Sequence, residues 1–258
     1  MISRKTPDTW QDLQVETARL LKECGFEEVE VEKKIETARG TVSVDVYAVE
    51  AVKGRKYITL CECKHWKSNI PQNVVHGFRT VMGDFGAHQG YIVSMAGFQE
   101  GVIKAVENTN VRLVTWVQLL DEFGASWMEQ YFFPTITEKL DPLLSYTEPF
   151  MPAWFDKLPE KEQGAFLALK EKYDQFGWMM MSFTTYHRML RKDEPYPELP
   201  VRPRLRDDST IAKNVPKEIL DETHYREFLE AAIGFGTSVI EQFRELRAIA
   251  LKDVPPGQ

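Results

Sequence analysis

Apolar and polar residues recur along the first half of the chain with two alternating periods. Over about residues 9–24, Trp10, Leu13, Leu20 and Leu21 fall at helical spacing. Asp8 stands where a cap is needed and Gly25 where the helix would end. Over residues 26–37, Val29, Val31 and then Ile35 alternate with Glu28, Glu30 and Glu32, which predicts a strand with one wet face. Arg39-Gly40 turns the chain, and Val42, Val44 and Val46 then alternate with Ser43, Asp45 and Tyr47. A basic turn, Lys53-Gly54-Arg55-Lys56, leads into the run Tyr57-Ile58-Thr59-Leu60-Cys61-Glu62-Cys63-Lys64. These three strands are predicted to form a meander. Pro71 opens a helix through about residue 85, carried by Val74, Val75, Phe78, Val81 and Met82. Residues 90–94 and 111–115 read as short buried strands, with a helix over 98–108 between them. Strand–helix–strand at that spacing implies a right-handed crossover and parallel pairing. The predicted order is α-β-β-β-α-β-α-β.

From about residue 130 the pattern changes. Prolines cluster at Pro134, Pro142, Pro149, Pro152 and Pro159. A helix is predicted over 160–191, with Phe166, Leu169, Tyr173, Phe176 and Met180 on one face. Residues 195–203 are a proline-rich, semi-rigid connector. A last long helix over 216–251 spaces Phe228, Ala232, Phe235, Val239, Phe243, Leu246 and Ile249 nearly as a heptad. No internal repeat is visible. The expectation is an α/β domain over residues 1–130 and a mostly helical domain over 131–258.

Composition narrows the class. With 258 residues, 43% hydrophobic and 28% charged, the chain can build one large core or two small ones, and it reads as globular. No apolar run reaches the length of a membrane span, and Met1 to Pro7 lack the apolar core of a signal peptide. Three cysteines, two of them on one strand, make no disulfide framework, so a reducing, cytoplasmic protein is expected. The net charge of −7 bears on partners. DNA binding rests largely on phosphate contacts from Lys and Arg. An acidic chain must supply them through a local patch, bound cations or a partner. Lys53, Arg55, Lys56, Lys67 and Arg79 are candidates for such a rim, or simply a solvated face.

The chemistry concentrates at Cys61-Glu62-Cys63-Lys64. Strand alternation puts Ile58, Leu60, Glu62 and Lys64 on one face and Tyr57, Thr59, Cys61 and Cys63 on the other. The first face begins as core and ends as a carboxylate beside an ammonium, which is costly to bury unless paired or bound to a metal. Asp45, on the neighbouring strand, adds a second carboxylate. Two carboxylates about 5 Å apart repel by roughly 3 kcal/mol at an effective dielectric near 20, and a cation removes that repulsion. Mg²⁺ takes one or two carboxylates with waters and substrate phosphate; Asp45, Glu62 and the carbonyl of Cys63 suit it, with Lys64 assisting the attacking water. On spacing alone the signal is weak, because Glu-x-Lys is common and Glu62–Lys64 reads as well as a plain ion pair on one face. Glu16 lies on the buried face of the first helix, as a boundary residue or as a carboxylate aimed into a site. Cys61, Cys63 and His65 offer three soft ligands, one short of a closed zinc site, and read as buried cysteines beside a loop-edge histidine.

Over residues 8–120 the sequence resembles the Mrr-type branch of the PD-(D/E)xK restriction-endonuclease-like superfamily. The resemblance rests on the helix bearing Glu16, on Arg39-Gly40 leading to Val44-Asp45-Val46, and on Cys61-Glu62-Cys63-Lys64-His65-Trp66. It continues through Pro71-Gln72, Gly90-Tyr91-Ile92-Val93-Ser94, Gly97-Phe98 and Val111 to Thr115. Glu62 stands where many relatives carry Gln, and Ser43 where a Gly often precedes the acid. The resemblance implies a mixed sheet flanked by helices and a DNA endonuclease dependent on Mg²⁺, with Mn²⁺ as a substitute. It implies Asp45 and Glu62 as metal carboxylates, Lys64 as catalytic lysine, Glu16 as helical acid and Gln72 as a polar residue near the site. A prokaryotic restriction or anti-phage setting follows by the same analogy. The helical half is expected to mediate a homodimer or dock a partner subunit. Repair nuclease and inactive DNA-binding scaffold are the alternatives on this fold.

Overall fold

Five strands lie side by side in chain order and form one mixed sheet. They are β1 (Glu30–Thr37), β2 (Gly40–Val52), β3 (Arg55–Lys64), β4 (Gln89–Ser94) and β5 (Val111–Thr115). The first three pair antiparallel and the last three parallel, as predicted. This description comes from a computed structural model and covers residues 1–206 and 209–252. The end of the expected helical domain, 253–258, lies outside the described residues. Two compact units divide the chain, Met1–Tyr131 and Phe132–Gln258. Among the described residues no helix is long and apolar enough to cross a membrane.

In the first unit, α1 (Trp10–Glu23) packs on β2 and β3. Its cap is Thr9 rather than Asp8. The Thr9 hydroxyl accepts from the Asp12 amide at 3.1 Å, and Asp12 accepts from the Thr9 amide at 3.1 Å. This reciprocal pair satisfies two otherwise unpaired donors. Leu13, Leu20 and Leu21 are buried as their spacing requires, but Trp10 and Val31 are exposed. Glu23 is buried and accepts from the Trp127 indole at 2.7 Å. On the other sheet face α2 (Gln72–Phe85) sets Val75, Phe78 and Met82 into a cluster with Tyr47, Leu60 and Ile92. Gly90 permits that approach, because a Cβ there would sit 2.7 Å from Phe78. The crossover helix α3 (Glu100–Lys104) is shorter than predicted. Asn108 adopts φ 57°, a left-handed conformation that cannot continue a helix. After β5 come α4 (Trp116–Glu122) and α5 (Gly124–Trp127), which no expectation covered.

The second unit holds α6 (Phe133–Thr147), α7 (Glu160–Met181), α8 (Thr185–Leu190), α9 (Thr210–Asn214), α10 (Lys217–Leu220) and α11 (Tyr225–Ala250). The predicted 160–191 helix breaks after Met181, where Thr184 caps α8 through the His187 amide at 3.3 Å. The predicted 216–251 helix splits likewise into α10 and α11. α6 is the larger surprise, since Pro142 lies inside it. Proline removes one amide donor and crowds the preceding turn. Burial of Phe133, Ile136, Leu140 and Leu143 outweighs that. Phe166, Phe176, Phe228 and Phe243 complete this core.

Candidate active site

The site forms where β2 loses its regular alternation. Val44 and Tyr47 belong to the same core cluster although they are three residues apart. In a regular strand they would face opposite sides. The irregularity falls on Asp45-Val46. On β1, Glu32 lies between Val31, which pairs with Val46, and Lys33, which pairs with Val44; its φ is 52°. Such departures turn a side chain away from its regular direction. The β2–β3 pairing is recorded as far as Val46 and Cys61.

Asp45 takes over part of that pairing with its side chain. Its Oδ2 accepts from the backbone amide of Cys63 at 2.7 Å, and its Oδ1 accepts from Gln14 Nε2 at 2.9 Å. Gln14 is 4% exposed and sits on the buried stripe of α1 with Leu13, Thr17 and Leu21. Both carboxylate oxygens are thus fixed by donors from two different elements. Glu16, the helical acid expected at the site, has different partners. Its Oε1 accepts from Lys5 Nζ at 2.6 Å and its Oε2 lies 4.0 Å from Arg19. Two residues apart on a helix means roughly 200° around its axis, so Gln14 and Glu16 cannot serve one spot together.

Glu62 and Lys64 continue the face of Leu60 and pair with each other. Their side chains are 25% and 20% exposed, well enough enclosed for their charges to matter. Burial first, and then the negative charge of Asp45, push the Glu62 carboxyl above its usual range against the pull of Lys64. The two acids therefore share a field across β2 and β3. Beside them opens a cleft of about 480 Å³. Lys64 and Glu62 line it together with Trp66 and with Asn73 of α2. Gln72, expected near the site, is the exposed first residue of α2.

Cys61 and Cys63 lie on the opposite face. Burial raises both thiols above their usual range, and Cys63 Sγ contacts the Thr17 hydroxyl at 3.8 Å. His65 Nε2 is 3.1 Å from the Pro7 carbonyl. Among the described residues no three His, Cys, Asp or Glu side chains gather as a metal cluster. Carboxylate oxygens, as Asp45 and Glu62 offer, suit Mg²⁺ better than zinc. The basic residues form no single rim. Arg55 begins β3 and Lys64 ends it, roughly 30 Å apart along a strand. Lys56 pairs with Glu28 at 2.6 Å, and Arg79 donates to the Ala105 carbonyl at 2.9 Å.

Gln14, Asn73 and Trp66 had escaped the sequence reading. Only Gln14 left a signal there, as a polar residue inside the helical apolar stripe.

Residues 8–123 match the Mrr_cat family, described as restriction endonuclease. The first unit, with its mixed sheet between helices, is consistent with an Mrr-type restriction-endonuclease-like domain over those residues. No curated protein matches the chain. One solved structure, titled "Crystal Structure of Protein of Unknown Function AF1548", is similar over 72% of this chain and 100% of that one. Its TM-score of 0.37 and 15% identity are too slight to bear on fold or function.

Proposed function

We propose that the chain is a Mg²⁺-dependent DNA endonuclease that hydrolyses phosphodiester bonds, with Mn²⁺ able to substitute. The observation that carries this reading is the pairing of Glu62 with Lys64 in the field of Asp45, which with partial burial holds the Glu62 carboxyl above its usual range. Such an arrangement is unfavourable alone and is relieved by a cation. When bound, a divalent ion held by Asp45, Glu62 and the Cys63 carbonyl supplies Lewis-acid stabilisation and a more acidic water. Gln14 and the Cys63 amide keep Asp45 in one orientation. Lys64, released from Glu62, offsets charge developing on the scissile phosphate. The chain's own acidity fits metal-mediated rather than lysine-mediated phosphate contact. Restriction or anti-phage defence in the cytoplasm is the setting suggested by the Mrr-type domain.

We assign the helical unit to assembly, as a homodimer or with a partner subunit. Trp178, Tyr186, Met189 and Leu190 stand exposed on it, large apolar side chains available for association. Light scattering of residues 1–131 beside the full chain tests this, and an equal monomeric state in both would overturn it.

Purified protein incubated with supercoiled plasmid, with Mg²⁺ or with EDTA, beside Lys64→Ala, tests the activity. Nicking that needs metal and disappears in the variant is expected. Cutting by Lys64→Ala at the wild-type rate would remove this site from the reaction. Preference for branched over linear duplexes would move the reading to a repair nuclease. Tight DNA binding without cutting would favour the scaffold alternative.

A further inference from the structure

The cleft beside Glu62 and Lys64 is lined mainly by apolar groups. Val42 and Val44 of β2 and Val74, Phe78 and Val81 of α2 contribute to it. A duplex backbone offers sugars and phosphates, which have no use for such a lining. An unstacked nucleobase does, because every base presents an apolar π-face. Trp66 lines the same cleft and keeps 43% of its surface exposed, unusual for the largest aromatic side chain. Asn73 adds an amide able both to donate and to accept.

Gly77 strengthens the case. It lies inside α2 and lines the cleft. Glycine within a helix is unfavourable relative to alanine. A Cβ at Gly77 meets nothing within 4 Å, so no close packing demands glycine there, unlike Gly90. Gly83 is equally unhindered but lies off the cleft. At Gly77 the missing side chain leaves the wall open.

We propose that this cleft receives one unstacked nucleobase of the strand whose phosphate is held at Glu62 and Lys64, with Trp66 as its stacking platform. The inference rests on the proposed nuclease reading and names its substrate class: DNA that presents an unpaired base, from a single-stranded segment or by flipping from a duplex.

The test measures binding by the full chain with Ca²⁺ in place of Mg²⁺, so that a cation remains for the phosphate contact and the readout does not depend on cutting. A labelled single-stranded oligonucleotide and its blunt duplex are titrated by fluorescence anisotropy. A second duplex carries a single mismatch, which lowers the cost of extruding a base. The variants are Trp66→Ala, Trp66→Phe and Gly77→Leu. A single-strand preference identifies an unpaired strand as the source of the base, and tighter binding to the mismatched than to the matched duplex identifies flipping. Whichever signal the wild type gives, Trp66→Ala should weaken it by about 5- to 150-fold, the range of one base–aromatic stack. Trp66→Phe should retain most of it. Gly77→Leu should lose it while unfolding at the wild-type temperature or above, because a Cβ there meets nothing within 4 Å and leucine favours the helix over glycine. Neither signal in the wild type, or either Trp66→Ala or Gly77→Leu within twofold of it, would overturn the proposal. Failure of plasmid nicking with these signals intact would sink the nuclease reading and leave the base site standing.

Discussion

Asp45 and Cys63, eighteen positions apart in the chain, are joined by a 2.7 Å hydrogen bond from the Cys63 amide to Asp45 Oδ2. The carboxylate therefore closes the end of the β2–β3 pairing while standing in the field of Glu62. One side chain has a structural and a chemical duty, and isosteric and truncating substitutions separate them. Asp45→Asn keeps an acceptor for Cys63 and should unfold within a few degrees of wild type, with nicking abolished. Asp45→Ala leaves the Cys63 amide and Gln14 without their acceptor, which costs about 1–3 kcal/mol for buried groups. Its melting temperature should fall by several degrees more than that of Asp45→Asn. Equal melting temperatures would show that the bond carries no stability.

Gln14 acts through Asp45 by orienting it. Outer partners of ligating carboxylates typically contribute about 10- to 100-fold in metal affinity. Gln14→Ala should raise the Mg²⁺ concentration needed for half-maximal nicking by that factor, with the maximal rate at saturating metal little changed. Glu16→Ala, which removes the partner of Lys5, should leave the metal requirement within twofold. The reverse pattern would return the role to Glu16.

Glu62 sets a pH dependence. Its carboxyl is held above its usual value by burial and by Asp45, so the folded state binds the proton more tightly than the unfolded state. That contribution is complete below the unfolded value, about 4.3, and is lost as pH rises through the higher folded value. In EDTA, the wild type should lose stability relative to Glu62→Gln across this interval. Melting curves of the two proteins from pH 4 to 7 read the difference directly. Mg²⁺ should restore stability at pH 7 and not at pH 4, where protons compete for the ligand. A difference curve flat with pH would show that Glu62 titrates normally.

Cys24, Cys61 and Cys63 are all buried and outside any disulfide, and the last two thiols are raised by burial. A thiol that resists ionisation is a poor nucleophile. The native protein should react with a disulfide reagent at far below the rate of the denatured chain, and purified protein should carry no stoichiometric zinc. Rapid native labelling, or one zinc per chain, would revive the ligand reading of Cys61, Cys63 and His65.

In the helical unit Gly177 and Gly236 are held by close approach. A Cβ at Gly177 would sit 2.1 Å from the Thr147 hydroxyl, and one at Gly236 would sit 2.6 Å from Leu140. Alanine at either position should destabilise by about 1–3 kcal/mol through overpacking, despite its better helix propensity. Thermal unfolding of Gly236→Ala checks this, and a rise in melting temperature would show that α6 can yield.

Hydrophobic periodicity alone determined the order of elements as far as β5, the strand meander and the parallel crossover. Each depends on which residues within a few positions must be buried, and that is written locally. The same local reading placed Glu62 and Lys64 on one strand face and Cys61 and Cys63 on the other. Tertiary structure decided the rest. Nothing within α1 says that Gln14 rather than Glu16 meets Asp45, thirty-one positions away; the rotation of the helix on the sheet decides it. The irregularity at Asp45 opposes the alternation of its own strand, and a Cys63 amide from the next strand sustains it. α6 forms across Pro142 because its neighbours bury its leucines, a gain that no local propensity records. The cleft walled by β2 and α2 exists only once those elements meet, which is why Trp66, Asn73 and Gly77 carried no legible function in the chain.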